Sequence, residues 1–364
     1  MIRILMTLDA VGGVWRYAID LAAALRHEGV ETAFLGFGPP PSPSQRREAD
    51  AVGPLTWARS GDLDWLAPDP AALRPVADVV AQEAQRCGAD LLHLNLPSQA
   101  ADLDGGWPVV VVSHSCVATW FRAVRGTGLP AAWQWQMDLT RRGLMRADLI
   151  VAPSRAHAGA LERCYDGLRR LVAIHNAVGA LDLGARQEPI VVAAGRWWDD
   201  GKGGAWLDAA AARTEWPIHL VGPLDGPNGA AFRPRHAVAA GPCSHADTLR
   251  RMGSSRLFVS PSLYEPFGLA VAEAAMLGLP LILSDLPVFR ELWDDAAWFV
   301  PVNDPEALAQ AINRLAADPS MQERLGRSAR KRALGLSVRR TAQAMAAEYR
   351  AVLGSRRHPV AREA

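Results

Sequence analysis

The 364-residue sequence contains no apolar run of about 18 residues, the length a membrane-spanning helix needs. Its first residues, MIRILMTLDAVGG, lack the charged segment, apolar stretch and cleavage site of a secretory leader, so secretion and membrane spanning are both disfavoured. Cysteine is sparse: Cys87, Cys116, Cys164 and Cys243 lie far apart with no CxxC spacing. That excludes a disulfide framework and a zinc module, and no metal site is expected; the thiols read as reduced, in a cytoplasmic protein. An excess of one charge is missing too. With 39 Lys and Arg against 38 Asp and Glu the formal charge is +1, so no basic field points to a nucleic-acid partner. Internal repeats and low-complexity tracts are absent.

What remains is ordinary globular composition, 49% hydrophobic and 21% charged, in a chain whose length suggests two domains at roughly 150 residues each. Ile2 to Thr7 is an apolar run that opens into Asp9, Gly12 and Gly13; Val14, Tyr17, Leu21 and Leu25 then recur at helical spacing. This is strand, glycine turn, helix. Val30 to Gly36 reads as a second strand and Gly38 to Gly61, rich in Pro and Ser, as a long loop. A helix follows near Ala71 to Cys87, then strands at Asp90 to Leu94 and Pro108 to Ser113, and a helix ending near Ala147. Leu149 to Ala152 and Leu171 to His175 are further strands, separated by a helix that Ser154 caps. A polar stretch from Asn176 to Pro189 interrupts the alternation and is taken as the domain linker.

Ile190 to Gly195 restarts the pattern, and strands fit at Ile218 to Val221, Ala237 to Ala240, Leu257 to Ser260 and Leu281 to Ser284. From Asp304 the chain is almost all helical. Such β/α alternation implies an α/β protein of two Rossmann-like, doubly wound parallel-sheet domains facing across a cleft, with ligands at the carboxyl ends of the strands. The domains are expected at 1–180 and 187–337, with a C-terminal helix in 338–364 that crosses back onto the first.

Three sites carry chemistry. Gly12 and Gly13, between the first strand and helix, let backbone N–H groups approach an anion or a sugar; they serve equally as a tight turn. The GxGxxG fingerprint of dinucleotide sites is absent. Arg196 and Lys202 leave the first strand of the second domain on either side of a glycine-bearing turn, where two cations can neutralise a diphosphate leaving group. The GxxxxGK[ST] loop is also absent, so ATP hydrolysis loses its best support. The segment from Ser260 to Ala275 follows a strand; it places Glu265 on the loop, lets Pro266 start the next helix and sets Glu273 two turns into it. A carboxylate among Ala, Val and Leu is costly to bury without a donor, such as the hydroxyls of a ribose. Backbone N–H groups of Phe267, Gly268 and Leu269 are available to phosphate or sugar oxygens.

The string Glu265-Pro-Phe-Gly-Leu-Ala-Val-Ala-Glu273 resembles the paired-glutamate signature of the retaining, two-domain glycosyltransferases of family four, which have the GT-B fold. Gly12-Gly13, His114 in Val-Ser-His-Ser, Pro153-Ser154, His175-Asn176 and Gly195-Arg196 through Lys202 join it in order along nearly the whole chain. The resemblance implies transfer of a hexose from a UDP- or GDP-linked sugar to a hydroxyl acceptor, with retention by front-face attack. It implies no bound metal and no tightly held cofactor, the nucleotide diphosphate sugar being a substrate. Carried over, Arg196 and Lys202 hold the diphosphate, Glu273 the ribose and Glu265 the donor-sugar hydroxyls. Phe267, Gly268 and Leu269 lend backbone donors, His114 lies beside the transferred sugar, and Gly12-Gly13 approach the phosphates or the acceptor. Two points depart from the commonest pattern. Lys202 stands one position further from Arg196, and Trp197-Trp198 between them are bulky.

The 13 Trp include several beside bases: Trp120, Phe121, Arg122, Arg125, then Trp133, Trp135, Arg141, Arg142 and Arg146. Trp120 and Trp133 are the candidates for the acceptor side, whether a saccharide, a glycolipid or a small molecule. The stretch also suits peripheral contact at the inner face of a membrane, or simple helix packing. A sugar-nucleotide epimerase, a phosphorylase and a non-catalytic nucleotide-sugar binder stay open as alternatives on the same scaffold.

Overall fold

The computed structural model describes residues 1–181 and 187–357. Part of the expected linker and residues 358–364 of the expected last helix lie outside the described residues. The chain forms two compact units, one of Met1–Arg122, Thr127–Asn176 and the chain from Val338, the other of Ala123–Gly126 and Ala177–Ser337. The division falls slightly before residue 180, because Val178 donates its N–H to the Leu336 carbonyl and bridges to Ser337.

The first unit is a seven-stranded, wholly parallel sheet. Its strands are β1 (Ile2–Asp9), β2 (Val30–Phe37), β3 (Leu55–Trp57), β4 (Leu91–Leu94), β5 (Val109–Val112), β6 (Leu149–Ala152) and β7 (Leu171–Ala173), in the order β3-β2-β1-β4-β5-β6-β7. Its central strands are buried on both faces, which is why β5 is four consecutive valines rather than an alternating pattern. The helices α1 (Gly13–Leu25), α2 (Pro43–Val52), α3 (Pro75–Cys87), α4 (Val117–Arg125), α5 (Gln134–Arg146) and α6 (Arg155–Cys164) connect them.

Two expectations need correction here. The stretch Gly38 to Gly61 is no long loop: it holds α2 and the edge strand β3. Ser42 caps α2 with a capping box, its hydroxyl accepting from the Gln45 N–H while the Gln45 side chain accepts from the Ser42 N–H, and Pro43 opens the first turn. The Pro and Ser residues that read as loop are thus the start signal of a helix. The helix ending near Ala147 is in fact two, α4 and α5, parted by Gly126, Gly128 and Pro130.

The second unit has six parallel strands, β8 (Glu188–Ala194), β9 (Ile218–Val221), β10 (Val238–Gly241), β11 (Ser255–Ser260), β12 (Leu281–Ser284) and β13 (Ala297–Val300), ordered β10-β9-β8-β11-β12-β13. Strand β13 escaped the sequence reading because it is an edge strand with only Val300 buried. The helices α7 (Gly204–Ala211), α8 (His245–Gly253), α9 (Leu269–Met276), α10 (Pro287–Trp293), α11 (Pro305–Ala316) and α12 (Pro319–Ala333) complete this unit. The last helix, α13 (Val338–Arg357), belongs to the first unit: Ala342, Met345, Ala346, Tyr349 and Val352, at helical spacing, are buried in the same cluster as Ala18, Ala22 and Leu25 of α1.

Candidate functional site

In an open parallel sheet the strand order reverses at one point, and the loops leaving the two strands there diverge to opposite faces, opening a crevice at their carboxyl ends. In the second unit that point lies between β8 and β11. Arg196 and Lys202 are on the loop after β8, and Glu265 is on the loop after β11. A short 3-10 turn, Asp200–Lys202, capped by the Asp199 carboxylate accepting from the Gly201 N–H, turns Lys202 back across the crevice. The Gly201 carbonyl accepts from the N–H groups of Leu263 and Tyr264 and so ties one loop to the other. At Gly203 the backbone has φ +70, and an added Cβ would stand 2.2 Å from the Pro261 carbonyl oxygen. Only glycine fits this close approach.

The result is an ion pair of 2.6 Å between Lys202 Nζ and Glu265 Oε2, both mostly buried. Trp197 and Trp198 do not obstruct it. Trp197 turns into the core and donates its indole N–H to the Val221 carbonyl, while Trp198 lies 5.5 Å beneath the Arg196 guanidinium. Arg196 reaches Asp199 at 3.4 Å, and its Nε is buried with no hydrogen-bond partner among the described residues. A buried guanidinium nitrogen without an acceptor is costly, and an anion in the crevice would relieve it.

The loop from Glu265 to α9 departs from the expected geometry. Pro266 does not start the helix. Gly268, at φ +92, caps it, and α9 begins at Leu269, so Glu273 sits one turn in rather than two. Phe267 is buried, and Glu273 is buried among Val271, Ala272 and Ala274. Its Oε1 lies 2.7 Å from Nε2 of His245, the first residue of α8. Sequence reading missed His245. The one available signal was the cost of burying Glu273 unpartnered, which demanded a donor without saying where it stands.

In the first unit the reversal lies between β1 and β4. Gly12 caps α1 with an extended backbone, and Gly13 is its first residue. The first turn of α1 carries no acidic side chain, so its N–H groups face no competing negative charge from it. His114 follows β5; its ring stands 4.4 Å from that of Tyr17 in an edge-on arrangement, and its Nε2 is 2.9 Å from Asn95 Oδ1. Burial, with the neighbouring His93 and His157, pushes the His114 pKa down to about 3, so the ring is neutral near pH 7. Burial likewise pushes His93 and His157 down to about 4.

Trp120 and Trp133 share a cluster through Phe121, with ring centroids 5.2 and 5.8 Å from it. Trp133 is 39% exposed. The bases nearby are largely engaged: Arg142 pairs with Asp102, and Arg146 lies 4.0 Å from Asp148 and donates to the carbonyls of Leu103, Gly105 and Trp107. Such partners leave less charge for an anionic surface. No helix is long and apolar enough to cross a membrane, and no group of three or more His, Cys, Asp or Glu able to hold a metal ion is found, both among the described residues. The four cysteines form no disulfide among those residues.

Residues 11–179 match the model of Glycosyltransferase Family 4, and residues 234–332 match that of Glycosyl transferases group 1. The chain is a GT-B glycosyltransferase-family protein of the family-four type. Among curated relatives it is 28% identical over 204 residues to a glycogen synthase of Mycobacterium tuberculosis, covering 54% of this chain and 44% of that one. It is 26% identical over 282 residues to an alpha-maltose-1-phosphate synthase of Mycolicibacterium smegmatis, covering 66% and 72%. The chain thus spans less than half the length of the first of these relatives. The GT-B fold recurs in a sucrose-phosphate synthase from Thermosynechococcus elongatus, at TM-score 0.82 and 20% identity over 98% of this chain and 100% of that one. It recurs also in the Anabaena protein HepE in complex with UDP-glucose, at TM-score 0.76 and 18% identity over 96% and 100%.

Proposed function

We propose that this family-four protein moves a hexose from a nucleotide diphosphate sugar to a hydroxyl of a saccharide or glycolipid acceptor, with retention at the anomeric carbon and without a metal ion. The observation that carries the reading is the crevice between β8 and β11, where Lys202 and Glu265 pair at 2.6 Å beside the unpartnered Arg196 Nε. A diphosphate entering there draws Lys202 away from Glu265 and supplies the acceptor that the Arg196 Nε lacks. Glu265 is then released to accept from the hydroxyls of the transferred sugar, and Glu273 takes the ribose. In the first unit, His114 offers a sugar hydroxyl a neutral ring nitrogen.

Charge develops on the leaving phosphate as the bond to the anomeric carbon breaks, and Arg196 and Lys202 are placed to stabilise it. In front-face attack the acceptor oxygen bonds to the anomeric carbon on the side the phosphate leaves, and its proton passes to a phosphate oxygen. This route needs no carboxylate nucleophile.

The test is a thermal-shift and diphosphate-release screen over UDP-, GDP- and ADP-sugars, beginning with UDP-glucose, the ligand of the similar Anabaena structure. A donor at about a hundred times its Kd stabilises by about 2.7 kcal/mol. The expected result is a shift with one donor and acceptor-dependent release of its diphosphate, both lost in Arg196→Ala. Conversion of the donor without an acceptor would indicate an epimerase, transfer to phosphate a phosphorylase, and binding without turnover a binding protein.

A further inference from the structure

Behind His114 lies a chain of buried polar groups drawn from β1, β4, the segment that follows β4, and α13. Thr7, His93, Asn95, Gln99 and Tyr349 are all nearly or fully buried, so each hydrogen bond must be made with its proton on the correct atom. The directions follow from one fixed point. The main-chain carbonyl of Thr7 can only accept, and the Asn95 side chain meets it at 2.7 Å, so that atom is the amide Nδ2. The Asn95 main-chain N–H donates to Thr7 Oγ1 at 2.9 Å, and Thr7 Oγ1 donates in turn to Gln99 Oε1 at 2.6 Å. Turning the Asn95 amide over would set its oxygen against the Thr7 carbonyl oxygen, so its orientation is fixed.

Its Oδ1 must then accept, and two imidazoles face it, His93 Nε2 at 3.1 Å and His114 Nε2 at 2.9 Å. Both nitrogens carry hydrogen. His93 is neutral, so its Nδ1 is bare and accepts from the Tyr349 hydroxyl at 2.6 Å. In His114 the same constraint leaves Nδ1 bare, with no hydrogen-bond partner among the described residues. Tyr17, packed edge-on against the ring at 4.4 Å, opposes its rotation.

We propose that Asn95, held by Thr7 and backed by His93 and Tyr349, is a positioning residue that fixes His114 with its proton on Nε2 and leaves the Nδ1 lone pair to accept from a sugar hydroxyl. This rests on the sugar-binding role proposed for His114. The tautomer of an imidazole is set by what its other nitrogen meets, and here that partner is an amide oxygen that cannot donate. The last helix thereby joins the site: Tyr349 lies 256 residues from His93 in sequence and completes its hydrogen bonds.

The test is the imidazole 15N spectrum of the full chain, in which protonated and bare ring nitrogens resonate far apart, with His114 assigned by its loss in His114→Phe. The unsubstituted protein should show a proton on Nε2 and none on Nδ1. In Asn95→Leu the two tautomers of His114 should mix, with kcat down about tenfold, as for one lost buried hydrogen bond, and donor KM within about twofold. Tyr349→Phe, a milder change should Asn95→Leu fold poorly, should perturb the His93 signals first and those of His114 less. A proton on Nδ1 of His114 in the unsubstituted protein, or an unchanged tautomer in Asn95→Leu, overturns the proposal. Adding UDP-glucose separates it from the reading beneath it. Binding that moves the Nδ1 signal supports both, and binding that requires Arg196 but leaves Nδ1 unmoved overturns the acceptor role of Nδ1. If the tautomer is as stated and no nucleotide sugar binds, the transfer reading fails and the positioning of His114 stands.

Discussion

At the reversal point of the second sheet two ion pairs stand close together, Lys202 with Glu265 and Arg196 with Asp199, and the Glu273 carboxylate meets the His245 imidazole at 2.7 Å. At the reversal point of the first, where Asp9 at the end of β1 accepts from the Val11 N–H, the groups behind His114 are neutral and joined in one hydrogen-bonded chain, from Tyr349 through His93 and Asn95 to His114. Both sheets are parallel and reverse beside their first strand, so topology is not the source of the difference. Ion pairs in a partly open crevice can exchange partners with an incoming anion, whereas a neutral buried chain holds its protons in place and is costly to disturb. One unit is suited to taking up a charged group and the other to presenting an oriented, uncharged one.

The comparison is broken most directly by charge removal in the second unit. Arg196→Ala and Lys202→Ala should each lower turnover with the best donor by about two to three orders of magnitude, roughly 3–4 kcal/mol of transition-state stabilisation. The same loss measured for Thr7→Val, in the neutral chain, would erase the distinction.

Acidification should act on the first unit. His93, His114 and His157 stay neutral in the folded chain down to about 4, 3 and 4, whereas the unfolded chain takes up protons near 6.5. The stability they contribute is present above pH 6.5 and is lost as pH falls towards 4. Asp64 works the other way. Burial raises its carboxyl to about 6, so its contribution is full below 3.8 and is lost as pH rises through 6. Three histidines against one carboxyl leave a net loss on acidification. Hydrogen exchange at pH 7 and 5 should show protection falling in β4 and β5 ahead of β8 and β11, and equal protection at both pH values in β4 and β5 would refute the assignment.

Glu273→Gln sharpens the contrast at smaller scale. It preserves an acceptor for His245 but removes a charge, so donor affinity should fall by about 1–2 kcal/mol with folding stability nearly unchanged; calorimetry with the best donor measures it. The smallest effect is expected at the aromatic cluster. Trp120→Ala and Trp133→Ala should raise acceptor KM by a few-fold, about 1 kcal/mol, and leave donor binding intact; an equal loss of donor affinity removes them from the acceptor side.

The second unit's site was easier to read because its residues are close in sequence. Glu265 and Glu273 lie in one nine-residue string, and Arg196 and Lys202 flank one glycine turn. Lys202 stands one position further from Arg196 than the commonest family pattern has it, and the 3-10 turn at Asp200–Lys202 is what brings it to Glu265 past two tryptophans. Edge strands β3 and β13 were missed because they are short and largely unburied, and α2 because its capping Ser and Pro resemble those of a loop.

By itself the sequence determined the β/α alternation, the parallel α/β class and the string that names the family, since each depends on residues within one or two elements and on hydrophobic periodicity. Tertiary structure alone decided the partners: His245 for Glu273, Glu265 for Lys202, and Tyr349, His93 and Asn95 behind His114. A buried polar atom must be satisfied, but its partner is chosen by which strands lie side by side and which helix returns to cover them. Sheet order and chain return are long-range facts that no local window of residues contains.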